Sequence, residues 1–580
     1  MKLHKCILAT VTATVIACSL FVGCGGSNSS TPASSTVSAS SASTAQIVAT
    51  GDKTLKMYIA GFQNLDPHIW SWGTHVDRMG IFEGLTLLNS DFTTRMGNAE
   101  SLEHNEDYTV WTAKLRQDLK WSDGTPLNAN DYYYSLQRVI DPQYLQGKTT
   151  AFNTNAPILN ALECQRGDIG FDQVGIKLLD DYTIEFTLST ACTDFDVRLA
   201  ESWGLPVPKH AIEKFGDDWT KPENIVVNGP YIPTAREEDV HLTLGPNEEY
   251  YGTPALEQID LYMGTQNQLL AYQNGDINVA TITAADIDAV KKDTELADQL
   301  KMFDTSVITY IGLLKSENDV LQQNPKIRQA ISLSIDRETI ASSVNKGTVT
   351  AAHSLVYPGF VDWTEDLDVI EYNAEKAQKL MEEAGYPNGE GLGEMTCLVS
   401  GTPGADTLAV VDMIQRGTGI KVKIVNLEWA AFVQDRDAYH EDGTWGIFID
   451  GWNTSVANAS GAFNNPQFDV RMGNLDAAGL KAYAAANKVV ADEQAALRTC
   501  KNEVANEYTE KMEELLKVSD PEELDAGYKE LEITRLQDAS SIPLWWGKSV
   551  LLIQPSIEGY EGNPLLLNSP PFYFKDVSNG

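Results

Sequence analysis

Gly419-Ile420-Lys421-Val422-Lys423-Ile424-Val425-Asn426-Leu427-Glu428-Trp429 and, after a polar connection that carries Arg436, Thr444-Trp445-Gly446-Ile447-Phe448-Ile449-Asp450-Gly451-Trp452-Asn453 set the frame for the chain. Val422 and Ile424 alternate with Lys421 and Lys423, the period of a half-buried strand. Residues 445–449 form a short apolar run rich in β-formers, which predicts a second strand. Each run ends at a tryptophan, Trp429 and Trp452, beside a polar group, Glu428 and Asn453. A ligand cleft needs broad apolar faces with a few placed hydrogen-bonding groups. Two core tryptophans would read the same from this stretch alone.

Outward from here, helices and short strands alternate. Asn324 caps a helix with Pro325 at its first position, and Ile327, Ala330, Ile331 and Ile335 fall on one face. Asp336 caps the next helix. Asn373 opens another, with Ala377, Leu380, Met381 and Ala384 in a stripe and Gly385 as its stop. Residues 476–539 are helix-rich and largely polar, which suits the outside of a lobe. Toward the start, residues 55–59 and 109–115 read as strands, 76–82 as helical and 121–127 as a turn. Asn130 or Asp131 is expected to cap a helix over 132–139. The pattern is that of α/β lobes.

A chain of 580 residues is too long for one core, so two or three domains are expected. With 43% hydrophobic and 21% charged residues it is ordinary globular material. A formal charge of -38 argues against nucleic acid as a partner, because a polyanion is repelled at long range. The cysteines form no Cys-x-x-Cys pair and no zinc-site spacing. A Cys164–Cys192 disulfide is conceivable in an exported protein; buried free thiols are the expectation.

Residues 1–23 carry Lys2 and Lys5 ahead of an apolar run too short to span a membrane, an export signal. The end of that run, Leu20-Phe21-Val22-Gly23-Cys24, resembles a bacterial lipobox, with leucine one position early; Cys24 is then the lipidated residue. Residues 24–46, mostly Gly, Ser, Thr and Ala, read as a flexible tether.

A series of motifs in register then resembles the bacterial oligopeptide-, dipeptide- and nickel-binding family of extracellular solute receptors for ABC importers. It comprises Asn64-Leu65-Asp66-Pro67, Phe82-Glu83-Gly84-Leu85, Trp121-Ser122-Asp123-Gly124, Asn228-Gly229-Pro230-Tyr231, Tyr250-Tyr251-Gly252, Asn324-Pro325 with Arg328, Ile335-Asp336-Arg337, Ala384-Gly385-Tyr386-Pro387 and Ile542-Pro543-Leu544. The resemblance implies an α/β periplasmic-binding-protein-like fold, two lobes with an additional inserted domain, hinged around a ligand cleft. Lobe one would take 47–90, 209–305 and 540–580, the inserted domain 91–208, and lobe two 306–539. It implies a monomeric, extracytoplasmic lipoprotein that delivers oligopeptides to ABC permease subunits, without a cofactor, metal or enzymatic activity.

Carried over residue by residue, the loop after Leu-Asp-Pro puts Trp70, Ser71, Trp72 and Gly73 on the ligand. Trp429 borders a side-chain pocket, Arg436 pairs with a ligand carboxylate, and Gly451, Trp452 and Asn453 lie on the opposite lobe. Trp545, beside Trp546, sits where relatives carry cleft aromatics, although core packing suits it equally. The family's aspartate for a peptide amino terminus is replaced by Ser455. Asp450 is a substitute only if it shares a side with Trp452, and alternation is taken to point it away. A non-peptide solute such as a sugar or metal complex (the latter met by His68 and His75) and a surface sensor or adhesion lipoprotein are the alternatives. No Gly-x-Ser-x-Gly, Walker loop or His-Glu-x-x-His favours an enzyme.

Overall fold

In the computed structural model, two long antiparallel strands, Leu300–Leu313 and Ile542–Ile553, run side by side through the middle of the molecule. They belong to a sheet that, among the described residues, has eleven strands. On one side of the pair lie Gly446–Asn453, Glu394–Ser400 and Lys421–Leu427; on the other lie Val279–Thr281, Thr54–Ile59, Gln258–Met263, His241–Pro246 and Tyr231–Glu237. Val349–Ala351 adds to Ile542–Ile553 off this path. The structure describes residues from 53 onward except 60, 63, 70–73, 146–147, 149, 153–155, 265–266, 454–457, 464, 487–489, 498–502, 516–517, 519 and 564–571. The export signal, Cys24, the tether, Trp70, Ser71, Trp72, Gly73 and Ser455 therefore lie outside the described residues.

The two ends of the long pair serve different cores. Val550 and Leu552 pack with Ile277, Ile282 and Val290, whereas Ile542, Leu544 and Trp545 pack with Ile311, Ile447 and helices Pro325–Leu333, Ala374–Glu383 and Ala405–Thr418. Between the ends the pairing loses register twice, between Asp304 and Ile308 and again between Thr309 and Tyr310. Such an irregularity bends a strand and increases its twist. The molecule thus has two halves on one continuous sheet.

The first half holds a second sheet, Ala99–His104, Val110–Leu115, Thr183–Thr187 and Ile176–Asp180, in that spatial order. Its buried residues join those of the large sheet in one hydrophobic cluster, from Leu55 to Val279 and again from Leu551 to Val577. The C-terminus is stitched to the start: the Asn579 side chain donates to the Thr54 carbonyl at 2.8 Å.

Several sequence motifs meet in space at buried polar hubs. Glu83, 1% exposed, accepts from the Tyr250 hydroxyl and from Lys575 Nζ, each at 2.7 Å, and also from the Tyr251 hydroxyl. Its main chain is bracketed by Asn228, which accepts from the Glu83 amide and donates to its carbonyl. Arg328 joins Asp538 at 2.6 Å, and Arg337 donates to the Pro543 carbonyl at 2.7 Å. A buried charge persists only when paired or hydrogen-bonded, so these contacts lock distant segments into one register.

Local readings largely coincide with observed elements. The strands near 55, 110, 421 and 446 are present, and Asp336 and Asn373 cap their helices through side-chain oxygens. The cap of Ala129–Ile140 differs. Asn128, two or three residues earlier than expected, forms a capping box with Asp131. Asp131 supports the cap from the third helical position, which is why it resembled one.

The Leu-Asp-Pro loop is fixed by Asp66, whose carboxylate takes a two-pronged contact from Arg138, at 3.0 and 2.6 Å, and one from the Trp219 indole at 3.3 Å. Two residues on, His68 is fully buried, with Nε2 2.9 Å from the Leu205 carbonyl. Burial, followed by the nearby Arg138 charge, pushes its pKa down to about 4. It is thus neutral and enclosed, not open to a metal complex. Because the folded pKa is depressed, its contribution is complete above pH 6.5 and is lost as pH falls from 6.5 to 4. At 1.36 kcal/mol per unit that amounts to about 3 kcal/mol. In urea titrations across this window, His68→Gln should lose less stability on acidification than wild type; parallel curves would contradict this.

Candidate functional site

Register across three strands builds the candidate site. Trp452 stands opposite Ile308, and Ile308 in turn opposite Trp546. Cross-strand neighbours share a face, so the two indoles border the same surface. Trp452 is half-buried, its ring edge-on to Phe468 at 4.9 Å, and Trp546 is edge-on to Tyr357 at 5.2 Å. Tyr310, Phe432 and Phe448 complete the cluster beneath them. Gly312 makes room for Phe448, since a Cβ there would fall 2.1 Å from that ring. Trp546, Tyr357 and Phe468 are themselves buried, and Phe92 from the first half packs against this cluster.

Trp429 opens the helix Trp429–Asp437, is 46% exposed, and stacks on Phe432 at 5.8 Å. An exposed indole anchored on a buried ring has one face available for contact. Gly451 and Asn453, both exposed, flank Trp452 in sequence but lie on the opposite face of the strand, Gly451 across from Thr309. Trp429 and Trp452 thus border one aromatic cluster, and Gly451 and Asn453 do not.

Arg436 and Trp545 are placed otherwise than expected. The Arg436 guanidinium is largely enclosed and spends its donors on Asp437, at 2.8 and 3.0 Å, and on Asp450, at 2.5 Å. Burial opposes its charge, but the hydrogen-bonded Asp437 and then Asp450 raise its pKa. It is therefore committed to internal carboxylates and not free for one from a ligand. Asp450 lies two residues from Trp452 and so on the same face, contrary to the alternation argument; what withdraws it is Arg436. Trp545 is 6% exposed in the core with Ile311 and Leu544, on the side covered by helices. Its neighbour Trp546, 3% exposed, lies on the opposite face of the strand, within the aromatic cluster that Trp452 packs against. Only the register of Ile542–Ile553 against Leu300–Leu313 reveals this, because both residues look alike in sequence.

Beside Arg436 is a cavity of about 230 Å³, lined among others by Lys315, Asp437, Gln467, Tyr483 and Glu493. Lys315 is 6% exposed, and burial pushes its pKa down to about 8 although Asp437 favours the charge. Among the described residues no group of three His, Cys, Asp or Glu could hold a metal ion, and Cys164, Cys192 and Cys397 are buried and unpaired. No helix of the described residues is long and apolar enough to cross a membrane.

Comparison with known proteins agrees with this architecture. Residues 94–474 match the model of the bacterial extracellular solute-binding proteins, family 5. The periplasmic oligopeptide-binding protein OppA of Escherichia coli is 29% identical over 556 residues, covering 87% of this chain and 89% of the relative. A probable deoxycholate-binding periplasmic protein of the same organism, YgiS, is 26% identical over 499 residues, covering 83% and 85%. In structure, Haemophilus influenzae OppA complexed with the peptide RPPGFSPFR superposes with a TM-score of 0.70 at 22% identity, covering 92% of this chain and 100% of that one. The fold is accordingly that of the multidomain peptide-binding proteins, and the chain belongs to family 5 of the bacterial extracellular solute-binding proteins.

Proposed function

We propose that the chain captures oligopeptides between its two halves and hands them to the permease of an ABC importer, tethered to the membrane by lipid on Cys24. The observation that supports this reading is the half-buried Trp452, seated on the buried ring of Phe468, with the exposed Trp429 beside the same aromatic cluster and Phe92 of the first half packed against it. Aromatic faces bind ligands of varied sequence because they supply area without fixed hydrogen-bond demands. Main-chain recognition would fall to the loop over 69–74 and to the end of Gly446–Asn453. The lobes would follow the boundaries inferred from sequence, with the lapse of register between Asp304 and Ile308 as the hinge.

One observation favours a second reading, in which the solute is not a free-amino peptide. Ser455 stands where a carboxylate would meet an ammonium, and Asp450 is already paired with Arg436. A buried ammonium without a partner costs several kcal/mol. A relative named for probable deoxycholate binding fits an amphipathic apolar solute.

Native mass spectrometry of protein purified from its own cell separates the two readings: a ladder of peptide masses supports the first, a single non-peptide mass the second. With the retained ligand class in calorimetry, Trp452→Ala should weaken binding at least tenfold, ~1.4 kcal/mol, while melting stays cooperative. Unaltered affinity would remove this tryptophan from the site. Arg436→Met should instead cost stability, up to about 3 kcal/mol from the two stranded carboxylates, with affinity changed less than threefold. A stable Arg436→Met protein that has lost binding would return this arginine to the ligand.

A further inference from the structure

Contacts between the halves are built by the chain itself. The hairpin Thr86–Leu88 and Thr94–Met96 ends in a turn with Phe92 at its tip. The turn is rigid: Asn89 receives the Phe92 amide and donates to the Thr93 carbonyl, and the Asp91 carboxylate takes the Thr93 amide at 3.1 Å and its hydroxyl at 2.6 Å. Phe92 has φ 67°, a left-handed conformation that glycine adopts at no steric cost and a phenylalanine rarely does. A large ring at such a position needs a reason outside the turn. Its neighbours supply one: Phe92 meets Phe360 edge-on at 5.1 Å and Tyr357 at 6.0 Å, both from the second half.

The fit is reciprocal. Phe360 packs against Leu87, Leu88, Val197, Ala200 and Tyr573 of the first half, a knob in a shallow apolar hole. The loop that presents it is anchored at its root, where buried Glu532 accepts from the Leu355 amide at 2.6 Å and the Ser354 hydroxyl at 2.9 Å. Gly359 is backed against the latch, since a Cβ there would fall 2.9 Å from the Phe92 ring. A polar bridge stands apart from the rings: the Asn458 amide of the second half donates to Asp194 at 2.7 Å, and Asp194 is held from its own side by Arg198 at 3.0 Å.

We infer that Phe92, Phe360 and the Asn458–Asp194 bridge form a ligand-independent latch that makes the closed arrangement the resting state of this protein. A ligand then waits for spontaneous opening, and its observed association rate reaches a ceiling as its concentration rises. This regulates the cleft proposed above, but its test needs no ligand, so it stands or falls separately from the peptide reading.

The test is the distance between spin labels on two exposed positions, Leu179 in the first half and Leu408 in the second, in the full chain without ligand. Wild type should give mainly one short distance. Phe92→Gly keeps the left-handed turn and removes only the ring; it should raise the ratio of long to short distances at least tenfold, and Phe360→Ser should do the same. Asn458→Ala should give a smaller shift in the same direction. A mainly long distance in ligand-free wild type would overturn the latch. So would a wild-type distribution in a cooperatively melting Phe92→Gly protein, whatever its affinity for peptides.

Discussion

The pairing of Leu300–Leu313 with Ile542–Ile553 is the constraint on which the rest depends. Each strand donates one end to each half, so neither half owns the pair and no linker separates them. A two-stranded connection resists twisting apart far better than single crossings, yet it can bend where its ladder is broken. That break lies between Asp304 and Ile308, where the Thr305 hydroxyl bonds the Gly547 carbonyl in place of a regular rung. The ladder resumes at Ile308 with Trp546, in the buried aromatic cluster, and is broken again between Thr309 and Tyr310.

Rigid halves are the necessary complement of a soft joint. The buried hubs at Glu83, at Asp66 with Arg138 and at Arg328 with Asp538 each bind segments far apart in sequence. Removing one member of such a hub leaves its partners desolvated and unmatched, a larger loss than an exposed ion pair entails. This gives a physical reason for the motif series. Phe82-Glu83-Gly84-Leu85, Asn228-Gly229-Pro230-Tyr231 and Tyr250-Tyr251 meet in this chain around one buried carboxylate.

Much of the fold was legible because its signals are local. Alternation at Lys421–Leu427, the caps at Asp336 and Asn373, and the turn at Trp121-Ser122-Asp123-Gly124 need no knowledge of the remainder. The site was legible only where one strand carried it, as at Gly451-Trp452-Asn453. Trp545 and Trp546 could not be told apart, since which of two adjacent residues joins the helix-covered core and which the aromatic cluster depends on a partner strand far earlier in the chain. Arg436 misled for a related reason: sequence shows an arginine's charge but not the carboxylates that consume it, and Asp450 reaches it only through the fold. Phe92 and Phe360 gave no local signal because their significance lies wholly in each other.

The tie between Asn579 and Thr54 bears on how the molecule comes into being. The opening strand Thr54–Ile59 pairs along its length with Gln258–Met263, but the core beneath it is completed only by Leu551, Ile553, Phe574 and Val577. During synthesis the ribosome must therefore release nearly the whole polypeptide before the first half can close its core, and contacts this distant in sequence form slowly. Until those residues arrive the apolar face of the first half stays open to water.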